Sequence, residues 1–171
     1  RNNNFVRHNF ETSFLTLKSW RIIIKNYLTI VGLVNKTRVI KLFSNKNLID
    51  SFFLSDFLNS FIGPILIQNL IYIESFDNLF KNIPKQKTGF YLQENQGWEL
   101  SIVNAWKKYN HGELISVQHS TVSFWDLRYN NPFKEKDFIK YSPDFFAVNG
   151  SNAEKHFTKL NYPKDKIIHL E

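Results

Sequence analysis

Cysteine and methionine are both absent from the 171 residues of this chain. Without cysteine the chain has no disulfide framework and no thiolate zinc site, and its composition fits a reducing compartment. The most apolar stretch, residues 61–73, is too short and too interrupted to cross a membrane. Repeats of the solenoid, collagen and coiled-coil kinds are missing as well, which excludes those classes. Because the chain starts at Arg1 and has no Met at all, we expect it to be a fragment or to have residues missing.

What the chain does contain is apolar and basic. Hydrophobic residues make up 43% of it and aromatic residues 16%, which is enough for a packed core and excludes a disordered chain. The formal net charge of +7 favours an anionic partner, such as a nucleotide sugar, an acidic glycan or a membrane surface. Lys and Arg are scattered without a run of five, and no nucleic-acid-binding motif is present, so we expect no nucleic-acid partner.

The first half of the chain has the spacing of amphipathic helices. Apolar residues recur every three or four positions over 14–34, which predicts a helix with an apolar stripe through Leu17, Trp20, Ile24, Tyr27, Leu28 and Val31. The β-branched run at 22–24 leaves a strand open as the alternative there. The next predicted elements are a short strand over 38–43, a helix over 48–61, a break at Gly63-Pro64 and a helix over 65–80. We therefore expect residues 1–83 to form a mostly helical segment.

From residue 84 onward, the pattern changes to strands that alternate with helices. Strands are expected over 88–93, 113–118, 144–148 and 166–170, and helices over 98–109 and 152–160. Gly112 is expected to end the first of these helices in the left-handed conformation. This order predicts βαβ units, and therefore an α/β fold with a Rossmann-like parallel sheet and flanking helices over residues 84–171.

The predicted strands run into polar residues, and the carboxyl ends of parallel strands are where α/β proteins bind ligands. Glu94 follows the first strand and is a candidate general base; alternatively, it caps the start of the next helix. His119 follows the second strand and is a candidate base, proton donor or hydrogen-bond donor; alternatively, a neighbouring strand or loop holds it. We take Glu94 and His119 as the candidate catalytic residues.

Amide, hydroxyl and aromatic side chains around these two residues are candidates for substrate binding. Those at the first two strand ends are Asn95, Gln96, Trp98, Gln118, Ser120 and Thr121. Flat faces for sugar rings and a guanidinium for a phosphate or carboxylate come from Trp125, Asp126, Arg128 and Tyr129. The alternative for that segment is a surface ion pair over a small aromatic cluster. Asn149-Gly150 before a helix suits an anion, and the alternative is a turn with Ser151 or Asn152 as N-cap.

Motifs for several other chemistries are absent from the sequence. It has no G-x-S-x-G elbow of serine hydrolases and no H-E-x-x-H or D-x-D metal motif. The G-x-G-x-x-G pattern of dinucleotide binding is missing too. We therefore expect neither a metal nor a cofactor.

Several short motifs taken together resemble a known family. They are Glu94-Asn95-Gln96, Trp98-Glu99, Ala105-Trp106, His111-Gly112, Gln118-His119-Ser120-Thr121, Phe124 to Tyr129, Pro143-Asp144 and Ala147-Val148-Asn149-Gly150. In these motifs and in the run 60–70, the chain resembles bacterial surface-carbohydrate biosynthesis proteins, glycosyltransferases of the GT-B type. The resemblance covers residues 56–171.

The resemblance implies one half of a GT-B architecture, in which two Rossmann-like domains face a cleft and transfer a sugar from a nucleotide donor without a metal. This chain is then the N-terminal domain, and the C-terminal nucleotide-binding domain lies outside it. The implied partners are a nucleotide sugar and a glycan acceptor, and the implied location is the cytoplasm, at the inner face of the membrane. Rival functions are a nucleotide-sugar epimerase or hydrolase on the same scaffold and a non-catalytic glycan-binding module.

Overall fold

The computed structural model describes residues 11–37, 48–119, 129 and 140–170. The chain divides into two compact units, Arg1–Leu79 and Phe80–Glu171. A short 3-10 turn at Glu11–Phe14 is followed by α1 (Leu17–Thr37), α2 (Leu48–Phe61) and α3 (Pro64–Asn82). The three predicted helices are confirmed, the strand alternative at 22–24 is wrong, and the strand expected at 38–43 lies outside the described residues. Among the helices in these ranges, none has the length and apolar character needed to cross a membrane.

The first helix, α1, buries a face that matches the predicted apolar stripe only in part. Ile23 packs with Leu66 and Leu70 of α3 in the core of the first unit. The buried Ser19 hydroxyl accepts a hydrogen bond from the Asn78 side-chain amide at 2.9 Å. Two members of the predicted stripe, Tyr27 and Val31, pack against this core. The other four are exposed: Leu17, Trp20, Ile24 and Leu28. Apolar spacing missed part of the inner face because serine counts as polar, although a serine with a satisfied hydroxyl is readily buried.

The second unit is built around a four-stranded parallel sheet. Along the chain come β1 (Thr88–Gln93), α4 (Gly97–Lys108), β2 (Glu113–Gln118), β3 (Phe145–Val148), α5 (Gly150–Lys159), a 3-10 turn (Lys164–Lys166) and β4 (Ile167–His169). The strands lie in the order β1-β2-β3-β4, and each neighbouring pair is parallel. This confirms the predicted α/β fold with a Rossmann-like parallel sheet and flanking helices.

The two long helices described in the second unit, α4 and α5, cover the same face of the sheet. Strand pairing aligns Tyr91, Ser116 and Phe146, so their side chains share that face. Trp98 of α4 meets Tyr91 edge-on with 6.3 Å between ring centroids, and Phe157 of α5 packs on Phe146 at 6.3 Å. Parallel strands that are added in one direction, each through a right-handed crossover, place their helices on one side of the sheet.

Two glycines allow close packing where β1 and β2 begin. A Cβ on Gly89 would overlap the indole ring of Trp106, whose Nε1 donates a hydrogen bond to the Gly112 carbonyl at 2.6 Å. A Cβ on Gly112 would overlap the carbonyl of Lys87. Gly112 therefore permits close approach of two backbones, and the prediction of a left-handed cap there is wrong. Asn110 takes the left-handed conformation instead, with φ 50°.

Candidate functional site

Glu94 and His119 lie side by side at the carboxyl edge of the sheet. Each directly follows one of two register partners, Gln93 of β1 and Gln118 of β2. Glu94 Oε1 is 3.6 Å from His119 Nε2, and the side chains are 37% and 50% exposed, respectively. A carboxylate and an imidazole that are adjacent and reach solvent can hold and move a proton of a bound molecule. The structure thus brings the two candidate catalytic residues together.

The loop that carries Glu94 is held by Glu99, a buried residue in the first turn of α4. Glu99 Oε1 accepts hydrogen bonds from the backbone N–H groups of Glu94 and Gln96, both at 2.8 Å. Burial raises the pKa of the Glu99 carboxyl, and the backbone hydrogen bonds oppose that rise. Asn95 takes the left-handed conformation between them, with φ 55°. Sequence reasoning gave Glu99 no role in the site, although a glutamate at the third helical position is half of a capping box.

Buried polar side chains beneath the pair join the ends of β1 and β2. Ser116 Oγ donates a hydrogen bond to Gln93 Oε1 at 3.1 Å, and Gln93 Nε2 donates one to Asn95 Oδ1 at 3.1 Å. The Tyr129 hydroxyl donates to the Gln93 backbone carbonyl at 2.9 Å. Asn95 Nδ2 is buried and has no hydrogen-bond partner among the described residues. This amide is therefore a buried donor that the described residues leave unsatisfied.

The third strand end contributes the start of α5. Asn149 is the N-cap of this helix, and its exposed side chain makes no capping hydrogen bond. Its backbone N–H donates to Gln118 Oε1 at 3.3 Å, and Gly150 follows with φ 82°. The first turn has no acidic residue, so no carboxylate there offsets the positive end of the helix dipole. The alternative from the sequence, with Ser151 or Asn152 as the N-cap, is wrong because the helix begins at Gly150.

The remaining predicted binding residues differ in their surroundings. Gln96 is exposed beside the pair, and Trp98 is partly buried against Tyr91. Tyr129 is only 2% exposed and meets Phe157 edge-on at 5.8 Å in the core of the second unit. Because its ring is packed in this core, Tyr129 offers no free face to a sugar. It belongs to an aromatic cluster, which is the alternative that the sequence left open for this residue. The other candidates lie outside the described residues: Ser120, Thr121, Trp125, Asp126 and Arg128.

Two other histidines have structural partners away from the pair. His111 Nδ1 accepts a hydrogen bond from the Gln86 N–H at 3.0 Å, so its proton is on Nε2, which donates to the Phe80 carbonyl at 2.8 Å. His169 Nε2 is 3.0 Å from Glu154 Oε2 and links β4 to α5. In the parts of the chain that the structure describes, no three His, Asp or Glu side chains are grouped to hold a metal ion.

Comparison of the chain with protein-family models, with curated proteins and with solved structures found no match. The resemblance to GT-B surface-carbohydrate enzymes therefore depends on the short motifs of the sequence and stays a prediction. The site is described by its geometry: a carboxylate–imidazole pair, an unsatisfied amide donor and a helix N-terminus at one edge of a parallel sheet.

Proposed function

We propose that this chain is part of a metal-independent glycosyltransferase that moves a sugar from a nucleotide donor to a glycan acceptor. The observation that carries the proposal is the 3.6 Å approach of Glu94 and His119 at the carboxyl ends of adjacent parallel strands. Ligands of open α/β sheets bind at this edge. The reaction itself is inferred from the resemblance to GT-B surface-carbohydrate enzymes. From the same resemblance we propose that the protein acts in surface polysaccharide or lipopolysaccharide assembly, in the cytoplasm.

In the proposed reaction, His119 accepts the proton of an acceptor hydroxyl as that oxygen attacks the anomeric carbon of the donor. The bond from that carbon to the donor phosphate breaks, and the nucleotide leaves with the electron pair. The nearby Glu94 carboxylate stabilises the positive charge that forms on the imidazole. Both side chains reach solvent, so a substrate can approach them without unfolding of the strands.

Polar groups beside the pair supply the proposed substrate contacts. In the proposal, an oxygen of the substrate supplies the partner that Asn95 Nδ2 lacks among the described residues, once binding uncovers this buried atom. The Asn149-Gly150 turn and the N-terminus of α5 bind the donor phosphate, since backbone N–H groups and the helix dipole favour an anion there. Arg128, which the sequence predicts for the same role, adds a cation to this phosphate site in the proposal.

The test is transfer activity of the full-length protein that carries this chain, with Glu94→Gln and His119→Ala as separate variants. Loss of a general base or of its partner lowers a rate by about 10²–10⁴-fold. Each melting temperature should stay within about 2 °C of the wild type, because both side chains are substantially exposed. Nucleotide release from sugar donors, with and without glycan acceptors, gives the readout.

The matched control is Glu113→Gln, which removes an exposed carboxylate from the first residue of β2, at the opposite end of that strand from His119. It should keep full activity. Full activity of both Glu94→Gln and His119→Ala would rule the site out. Nucleotide release without an acceptor would favour the epimerase or hydrolase, and glycan binding without any turnover would favour the binding module.

A further inference from the structure

The outer face of α1 carries a row of exposed apolar side chains. Leu17, Trp20, Ile24 and Leu28 are 83%, 44%, 56% and 63% exposed, and their spacing places them along one side of the helix. Exposed apolar residues are common singly, but an aligned row of large ones marks an interaction surface.

Basic residues accompany this row. Lys18, Arg21 and Lys25 are exposed on the same helix, and no Asp or Glu occurs between Leu17 and Thr37. Arg21 and Lys25 line a shallow surface depression together with Ile24, Leu28 and Thr29. We call the four apolar residues and these three cations the outer face of α1.

The outer face is not needed for the core of the first unit. Ile23, about 100° around the helix from Ile24, packs with Leu66 and Leu70, and the Tyr27 hydroxyl donates a hydrogen bond to the Ile62 carbonyl at 2.8 Å. The helix is thus anchored by these contacts and can present the outer face to a partner without losing them.

We propose that the outer face of α1 binds the surface of a membrane that contains anionic lipids. Trp and aliphatic side chains enter the boundary between headgroups and acyl chains, and Lys and Arg pair with lipid phosphates. A second copy of the chain fits this face less well. A two-fold contact through it would set Arg21 and Lys25 against the cations of the other copy.

This inference stands independently of the proposed function, because it uses none of the residues of the sheet edge. Its test is co-sedimentation of the full chain with vesicles. One set is pure phosphatidylcholine, and the other contains about one-third phosphatidylglycerol, enough to give a negative surface. We expect the chain to sediment with the anionic vesicles, and we expect added salt to release it.

Two double variants distinguish the contribution of the cations from that of the apolar residues on the outer face of α1. Arg21→Gln with Lys25→Gln should weaken binding to the anionic vesicles by about 25-fold, since each cation near such a surface contributes about fivefold. Leu17→Gln with Leu28→Gln should also weaken binding, because glutamine retains helix propensity and removes the apolar contact. The matched control is Lys155→Gln with Lys159→Gln, which removes two exposed cations from α5.

The control should bind like the wild type, and circular dichroism should show the same helix content in all variants. The proposal fails if the wild type does not sediment with the anionic vesicles, or if the control loses binding as strongly as the Arg21 and Lys25 variant. Sedimentation velocity without lipid gives a third outcome. A wild-type dimer that becomes monomeric on changing Leu17 and Leu28 would assign the face to a second copy and would overturn the lipid proposal.

Discussion

At the scale of single residues, the candidate site depends on buried polar groups as much as on the two residues that face solvent. Glu94 and His119 could be predicted from the sequence because they follow strands whose ends meet in a parallel sheet. Gln93, Ser116 and Glu99 could not. A polar residue is predicted to be exposed unless its hydrogen-bond partner in another strand or turn is known.

Glu99 gives a prediction about pH at this scale. Its pKa in the folded chain is raised by burial, so the folded state holds this proton to a higher pH than the unfolded state does. Its contribution to stability is therefore present at low pH and is lost as pH rises from the ordinary value of 4.5 through the raised value. Glu99→Gln keeps an oxygen acceptor but cannot ionise. The variant should gain stability relative to the wild type as pH rises.

Urea unfolding of both proteins between mildly acidic and neutral pH measures this difference. Glu113→Gln removes the same charge at an exposed position of β2 and serves as the control. A stability difference between wild type and Glu99→Gln that does not change with pH would contradict the prediction. Glu99→Ala also removes the acceptor of two N–H groups, and it should cost about 1–3 kcal/mol at any pH in this range.

At the scale of elements, the sequence predicted which segments are helices and strands better than which faces they bury. The bounds of β1 and β2 agree with prediction because each is a short apolar run between polar or glycine-containing segments. The predicted inner face of α1 is only partly right, because Tyr27 and Val31 pack on the core while Ser19 is buried and Leu17 and Ile24 are exposed. Periodicity shows that a helix is amphipathic, but a helix with apolar residues on two sides needs its neighbour to decide between them.

Two glycines give opposite predictions at this scale. Gly32 lies inside α1 with no atom near the position of a Cβ, so Gly32→Ala should stabilise the chain by about 0.5–1 kcal/mol through helix propensity. Gly112→Ala places a methyl group against the Lys87 carbonyl. This variant should destabilise the folded chain by about 1–3 kcal/mol. Thermal unfolding of the two variants checks both signs. A neutral Gly112→Ala would show that the backbone moves aside freely.

At the scale of the whole molecule, each compact unit has its own core cluster. Ile23, Leu66 and Leu70 form the buried cluster of the first unit. That of the second consists of Tyr129, Phe146, Val148, Phe157 and Tyr162. Because the two clusters share no residue, each should respond to mutation separately.

A double-mutant cycle tests this separation. Ile23→Val should cost about 1 kcal/mol, and Val148→Ala, which removes two buried methyl groups, should cost about 2 kcal/mol. The double variant should lose the sum of the two within about 0.5 kcal/mol, as distant sites do. Urea unfolding of the four proteins gives the coupling energy. A coupling above about 1 kcal/mol would mean that the two cores act as one.

The order of the strands has a consequence for how the second unit assembles. In the described part of the sheet, each strand pairs with the next one along the chain, about 20–30 residues away. None of these pairings joins segments that are far apart in the chain. Each strand therefore costs a similar, small amount of loop-closure entropy when it is added. The sheet can therefore grow during synthesis, from β1 towards β4, with each new strand emerging from the ribosome next to a partner already in place.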